Sequence, residues 1–220
     1  MAARNFLIPL ALVAAAISLT GPALAERAVL APIPAVSIAP TSNREVAIFA
    51  GGCFWGVEGV FEHVRGVSSA VSGYAGGKTR RPTYHAVSGG DTGHAEAVRV
   101  TYDPHVVRYS DLLRIYFSVV ADPTTLNYQG PDHGTQYRTA LFPTSAAQEK
   151  QARAYLAQLK KQRVFDRPIV TRIESLHGFT PAESYHQDYM RKNPNAGYIV
   201  ANDRPKVEAL RRLFPKSYRG

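Results

Sequence analysis

The residue with the most chemistry is the single cysteine, Cys53, in the run Gly52-Cys53-Phe54-Trp55-Gly56. Thiolate is the reactive form of cysteine, and it is favoured where backbone N–H groups and a helix dipole point at the sulfur. The local pattern supplies that setting. Gly51-Gly52 can turn the chain, and Phe54, Val57, Phe61 and Val64 then recur at helical spacing, so Cys53 stands where a strand ends and a helix begins. Phe54 and Trp55 place apolar surface beside the sulfur. An inert cysteine buried in an aromatic core is the competing interpretation.

A candidate acid lies in Gly93-His94-Ala95-Glu96-Ala97-Val98. Residues two apart share a face of a strand, so Glu96 falls in line with Val98, Val100 and Tyr102. A carboxyl on an apolar face loses hydration and stays protonated, fit to donate a proton. A solvated or arginine-paired carboxylate at a frayed strand start is the alternative. Tyr84 follows Pro82-Thr83 in a loop, and Asp132 and Tyr137 sit in a Gly/Pro-bracketed loop from Gly130 to Tyr137. Tyrosine hydroxyls can donate to a polarised oxygen, although most of the twelve tyrosines are expected to pack as amphipathic side chains. The seven histidines show neither the i, i+4 pairing nor the cysteine partners of a zinc site, so no metal is expected.

The elements that must hold these residues form an irregular mixture. Strands are predicted over 46–50, 67–74, 95–102, 138–142 and 169–175, with a helix after Cys53. Ser110 can cap a second helix, and Ser145 with Gln148 forms a capping box for a third reaching about Lys161. Thr180-Pro181-x-Glu183 predicts a helix from Ala182 to Met190, and Asp203 with Pro205 opens a last one. The order favours an α+β fold, with helices packed on a largely antiparallel or mixed sheet.

The chain has 220 residues, 45% of them hydrophobic, which suits one folded domain, predicted over 44–220. Residues 1–25 have the pattern of a cleaved export signal: Arg4, an apolar stretch from Phe6 to Ser18, and Ala23-Leu24-Ala25. Export to the periplasm is the expected destination, with an uncleaved anchor as the alternative. Residues 26–43 are rich in Ala and Pro and are expected to be a flexible or extended leader. The net charge of +9 is spread along the chain, and nucleic-acid binding is not expected. With one cysteine, no internal disulfide can form.

Taken together, these stretches resemble the type A peptide methionine sulfoxide reductases. The resemblance runs through Gly52 to Gly56, Pro82-Thr83-Tyr84, Gly89 to Val98, Tyr102-Asp103-Pro104, Asp132 to Tyr137, Tyr185-His186-Gln187-Asp188-Tyr189, Asn193-Pro194 and Tyr198-Ile199-Val200. It spans about Arg44 to Tyr218. It implies a two-layer, ferredoxin-like α+β core and reduction of the S epimer of methionine sulfoxide, free or in proteins. It further implies that Cys53 is the nucleophile, that Glu96 protonates the sulfoxide oxygen, and that Tyr84 and Tyr137 hydrogen-bond that oxygen. Phe54 and Trp55 would cradle the substrate methyl group. Asp132 would order its loop or hold the substrate, and His186 falls near the pocket with its role open.

Many relatives carry one or two further cysteines that form a disulfide with the nucleophile; here none follows Cys53. The oxidised cysteine is therefore expected to need an external thiol, either a small molecule or a thioredoxin- or glutaredoxin-like protein. No other cofactor is expected, the clients would be oxidised proteins or peptides, and the chain is expected to be a monomer. Two other functions stay open on the residues alone: a Cys/His hydrolase using His94, His133 or His186 as base, and a non-enzymatic binding domain with a structural cysteine.

Overall fold

The computed structural model describes residues 28–220, so the expected signal over 1–25 lies outside the described residues. Among the described residues no helix is long and apolar enough to cross a membrane.

The chain begins its sheet with β1 (Glu45–Ala50), crosses through α1 (Phe54–Glu62) to β2 (Val67–Ala75), and returns in β3 (Ala95–Tyr102). A second crossover, α3 (Tyr109–Ile115) running into a π-helical turn over Tyr116–Val120, leads to β6 (Ala140–Phe142). These four strands lie side by side as β6-β1-β3-β2, each neighbouring pair antiparallel. This interleaving of two β-α-β units is the ferredoxin-like arrangement, so the predicted α+β fold class is the one observed. Two short strands extend its edges. β7 (Arg172–Ile173) pairs parallel to β6, and β8 (Phe179–Pro181) pairs antiparallel to β2.

Strand alternation sorts the core. Ala47 and Phe49 of β1 and Val98 and Val100 of β3 face α1 and α3, whereas Ile48, Ala50, Ala95 and Ala97 pack on the opposite face with Phe142. Under the helices, Phe49 stacks on Phe61 at 4.8 Å and on Tyr116 at 5.5 Å between ring centroids. Fully burying each such side chain contributes about 1.5–3 kcal/mol. Half of the capping box predicted for helix α4 (Ala146–Lys161) forms: the Ser145 hydroxyl accepts the Gln148 N–H at 3.2 Å, but the Gln148 side chain accepts from the Thr144 N–H at 3.0 Å instead of from Ser145.

Three local expectations change. The strand foreseen over 169–175 contracts to Arg172–Ile173. Ser110 does not cap α3, which starts a residue earlier; its hydroxyl donates to Ser37 Oγ instead. Thr180-Pro181 begins no helix. Pro181 pairs with Gly73 in the sheet, and only a 3-10 turn, Ser184–His186, and the short α5 (Tyr189–Lys192) follow. The Glu183 carboxylate that would close a capping box is taken up elsewhere: it accepts from Tyr74 Oη and from the backbone N–H of Tyr84, both at 2.9 Å.

The leader is extended and held rather than free. From residue 28 it runs across the α3 and α4 side of the domain. Ala31 is fully buried, with its N–H donating to Ser118 Oγ and its carbonyl accepting from Arg114 Nε. Tyr155 Oη donates to Pro32 O at 2.7 Å, and Gln158 makes two bonds, accepting from Ala35 N and donating to Ile33 O. Proline removes donors and blocks helix, and side chains of α3, the π-helical turn and α4 take up several of the leader's remaining backbone groups.

Candidate active site

Cys53 is the N-cap of α1 and is partly exposed. Gly52 has φ +85, and a Cβ there would lie 2.6 Å from Gln129 Cβ, so glycine is required by both backbone and space. Gln129 belongs to β4 (Tyr128–Gln129), paired with β5 (Asp132–His133) in a small hairpin that follows α3. The loop expected from Gly130 to Tyr137 thus holds the second strand of this hairpin and a 3-10 turn, Thr135–Tyr137, which carry Asp132 and Tyr137.

Glu96 lies on the apolar face of β3 and is 2% exposed, so the solvated alternative does not hold. Its Oε2 accepts the backbone N–H of Phe54 at 2.9 Å, the first N–H of the helix that Cys53 opens. Burial pushes the Glu96 carboxyl up to about 8, beyond what the Phe54 N–H restores, with Asp132 and Asp203 adding to the rise. It is therefore a neutral acid at neutral pH.

The cysteine departs from its expected behaviour. The helix start does supply a bond from the Trp55 N–H that favours thiolate, but burial first, and then the neighbouring acidic groups of Glu96, Asp203 and Asp132, outweigh it. The Cys53 thiol is pushed well up and is protonated at rest.

Tyr84 is not in a loop. It is the first residue of α2 (Tyr84–Ser88), whose N-cap Thr83 accepts the Ala86 N–H at 3.3 Å. Burial first, and the neighbouring Glu96 next, raise its hydroxyl and that of Tyr137, with Cys53 adding to both.

Phe54 and Trp55 wall the site. Phe54 is buried, 6.0 Å from Tyr74, 6.4 Å from Tyr84 and 5.0 Å from His186 between ring centroids. The Trp55 indole stacks on Tyr189 at 3.7 Å with the planes 9° apart, and its Nε1–H donates to His186 Nδ1 at 3.2 Å. His186 is 2% exposed, and desolvation lowers its basicity, so it is a neutral acceptor for the indole. The edge of Tyr198 meets Trp55 at 5.9 Å, and its hydroxyl donates to Asp132 Oδ2.

The other seven side chains that the sequence singles out thus gather about Cys53. Three others with a share in the site were not chosen. Tyr189 and Tyr198 lay inside quoted motifs, but nothing in their spacing told them from packing tyrosines. The sequence marks Asp203 as a helix opener, and it does precede α6 (Arg204–Leu213), but its side chain makes no cap bond and it is completely buried. Among the described residues no three His, Cys, Asp or Glu side chains are grouped to hold a metal ion.

Residues 45–218 match the peptide methionine sulfoxide reductase family. The chain belongs to that family. It is 56% identical over 176 residues to the peptide methionine sulfoxide reductase MsrA 2 of Mesorhizobium japonicum, covering 80% of this chain and 90% of the relative. It is 53% identical over 175 residues to the MsrA of Deinococcus radiodurans, covering 80% and 84%. Among solved structures, reduced Mxr1 from Saccharomyces cerevisiae superposes with a TM-score of 0.62 at 34% identity, covering 74% of this chain and 92% of that one. Methionine sulfoxide reductase A of Corynebacterium diphtheriae gives 0.61 at 32% identity, covering 80% and 86%.

Proposed function

We propose that this member of the family reduces the S epimer of methionine sulfoxide, free or in oxidised proteins, through Cys53. The observation that carries the proposal is the bond from Phe54 N–H to Glu96, which ties a neutral acid to the helix start that presents the sulfur. A sulfoxide oxygen leaves sulfur only when it is protonated. In the proposed reaction the Cys53 sulfur attacks the sulfoxide sulfur, and Glu96 gives its proton to the oxygen. Tyr84 and Tyr137 donate to that oxygen as charge develops on it. Phe54 and Trp55 receive the methyl group, and Asp132 with Tyr198 borders the substrate's polar side.

The products are methionine and a sulfenic acid on Cys53, and the thiol proton returns to Glu96. One external thiol then displaces water to form a mixed disulfide, and a second thiol releases Cys53. With no other cysteine in the chain, each turnover consumes two such thiols. The reductant is accordingly a small thiol or a thioredoxin- or glutaredoxin-like protein, and no other cofactor enters the scheme.

The hydrolase reading lacks support from the histidines. Both ring nitrogens of His94 meet backbone groups of Gly77 and Thr79, His186 Nδ1 takes the Trp55 indole, and His133 stacks on Tyr128 at 5.2 Å. Export to the periplasm is part of the proposal and is supported by the signal pattern of residues 1–25. Steady-state turnover with dithiothreitol as reductant tests the chemistry. Wild type should form methionine and Cys53→Ser none, whereas turnover by folded Cys53→Ser would overturn the assignment.

A further inference from the structure

After Met1 the chain contains one methionine, Met190, in the short helix α5. Asp188, Tyr189 and Met190, consecutive in the chain, dock on one stretch of α1. The Asp188 N–H donates to Glu58 Oε2 at 3.0 Å. The Tyr189 ring stacks on Trp55 at 3.7 Å with the planes 9° apart. The Met190 side chain lies over Gly59: a Cβ built there would fall 2.6 Å from Met190 Cε and 2.8 Å from its Sδ, so only glycine leaves room for the thioether. Trp55 and Gly59 are four residues apart, so one face of α1 carries both contacts. We infer that Met190 is a modification site: oxidation of its thioether to the sulfoxide lifts α5 from α1 and takes Tyr189 off Trp55, which weakens substrate binding.

Met190 is partly exposed, so a small oxidant reaches it. Hydrogen peroxide supplies the oxygen. The sulfur lone pair attacks one peroxide oxygen, an S–O bond forms as the O–O bond breaks, sulfur loses two electrons, and the other oxygen leaves as water. The product is polar where the thioether was apolar. Its new oxygen accepts hydrogen bonds but donates none. The face of α1 beneath it has no free donor, because Gly59 lies beyond the first four residues of the helix and its N–H is bonded within it. The oxygen has to turn out to water, and the side chain with it.

α5 does not keep its place unaided. It is four residues long, far too short to persist as an isolated helix, and Asp188 leads into it at φ +56, a left-handed conformation. Contacts with α1 seat it. When Met190 leaves Gly59, the adjacent Tyr189 loosens, and the Trp55 indole keeps its bond to His186 but loses its stacking partner. The inference rests on Trp55 lining the substrate pocket as proposed, but its first readout needs no substrate.

The test uses Cys53→Ser, in which Met190 is the one sulfur left after Met1 and Trp55 is the only tryptophan. The protein is treated with hydrogen peroxide, and oxidation of Met190 is followed by mass spectrometry. Trp55 emission should then shift to the red, and the Kd of the S epimer of methionine sulfoxide, by titration calorimetry, should rise roughly tenfold. Cys53→Ser carrying Met190→Leu, which stays apolar and takes up no oxygen, should ignore peroxide in both readouts. Met190 fully oxidised with emission and Kd unchanged would overturn the inference. So would a Met190 left intact by peroxide that oxidises free methionine. An emission change in protein that binds no methionine sulfoxide before treatment would support the movement of α5 and count against the reductase reading instead. Should the double variant not fold, the response of Cys53→Ser alone decides.

Discussion

Glu96 and Phe54 are joined by a 2.9 Å hydrogen bond from the Phe54 N–H to Glu96 Oε2, so the buried acid is fixed to the residue that directly follows the nucleophile. Substituting glutamine keeps an acceptor for that N–H but removes the acidic proton. Glu96→Gln should therefore lower the rate of sulfoxide reduction by roughly 10²–10⁴-fold with little change in substrate binding. Wild-type reduction should fall as pH rises through about 8, where the carboxyl ionises, and the variant should lose that limb. Single-turnover rates from pH 6 to 10 check both; an unchanged first turnover would remove Glu96 from the chemistry.

His186 anchors Trp55 through the indole N–H. His186→Phe leaves that donor without its acceptor and frees the ring to shift. A cost of about 1–3 kcal/mol for an unmade buried bond corresponds to roughly a five- to 150-fold rise in KM. Trp55→Ala should exceed it, since the wall itself is lost. A steady-state KM for His186→Phe equal to that of wild type would show that stacking on Tyr189 alone holds the indole.

Glu183 clamps Tyr84 from behind, taking its backbone N–H and the Tyr74 hydroxyl on its two oxygens. Glu183→Ala should lower kcat more than it raises KM, because Tyr84 is proposed to act on the oxygen as charge develops. Glu183→Gln, which can still accept one of the two bonds, should recover part of the loss. Equal behaviour of the two variants would contradict the clamp.

Glu58 gives a pH dependence of stability. It is 1% exposed and accepts from Ser72 N and Asp188 N, yet burial first, and Glu62 next, raise its carboxyl from 4.5 to about 7. The folded state therefore holds a proton that the unfolded chain releases. Stability conferred by this group is complete below about pH 4.5 and declines by ~2–3 kcal/mol as pH rises to about 7. Urea unfolding across that range should show the decline, and Glu58→Gln should make it shallower. A slope unaffected by the substitution would place its origin elsewhere.

The sequence made some of this legible and hid the rest for physical reasons. Alternation in β3 put Glu96 on the core face, and helical spacing put Cys53 at the head of α1, because both patterns are local. The protonation of Cys53 was not legible: the N–H and dipole at a helix start are local, whereas Asp203 and Asp132 arrive from 150 and 79 residues away in the chain. The helix expected after Thr180 failed for the same reason. Its capping signal is local, but the exposed edge of β2 offers Pro181 a pairing partner, and Tyr84 draws off the capping glutamate. The Ala/Pro leader gave no sign that it would be held, because its partners, Arg114, Ser118, Tyr155 and Gln158, lie on helices far along the chain.

The central claim is that Cys53 takes the oxygen of one sulfoxide epimer. A single-turnover assay tests it most directly, using the protein without reductant, separated S and R epimers of methionine sulfoxide, and a sulfenic-acid trap. The account predicts about one methionine per protein from the S epimer, none from the R epimer, and a matching amount of trapped Cys53. Methionine from neither epimer, with Cys53 folded and untrapped, would contradict it.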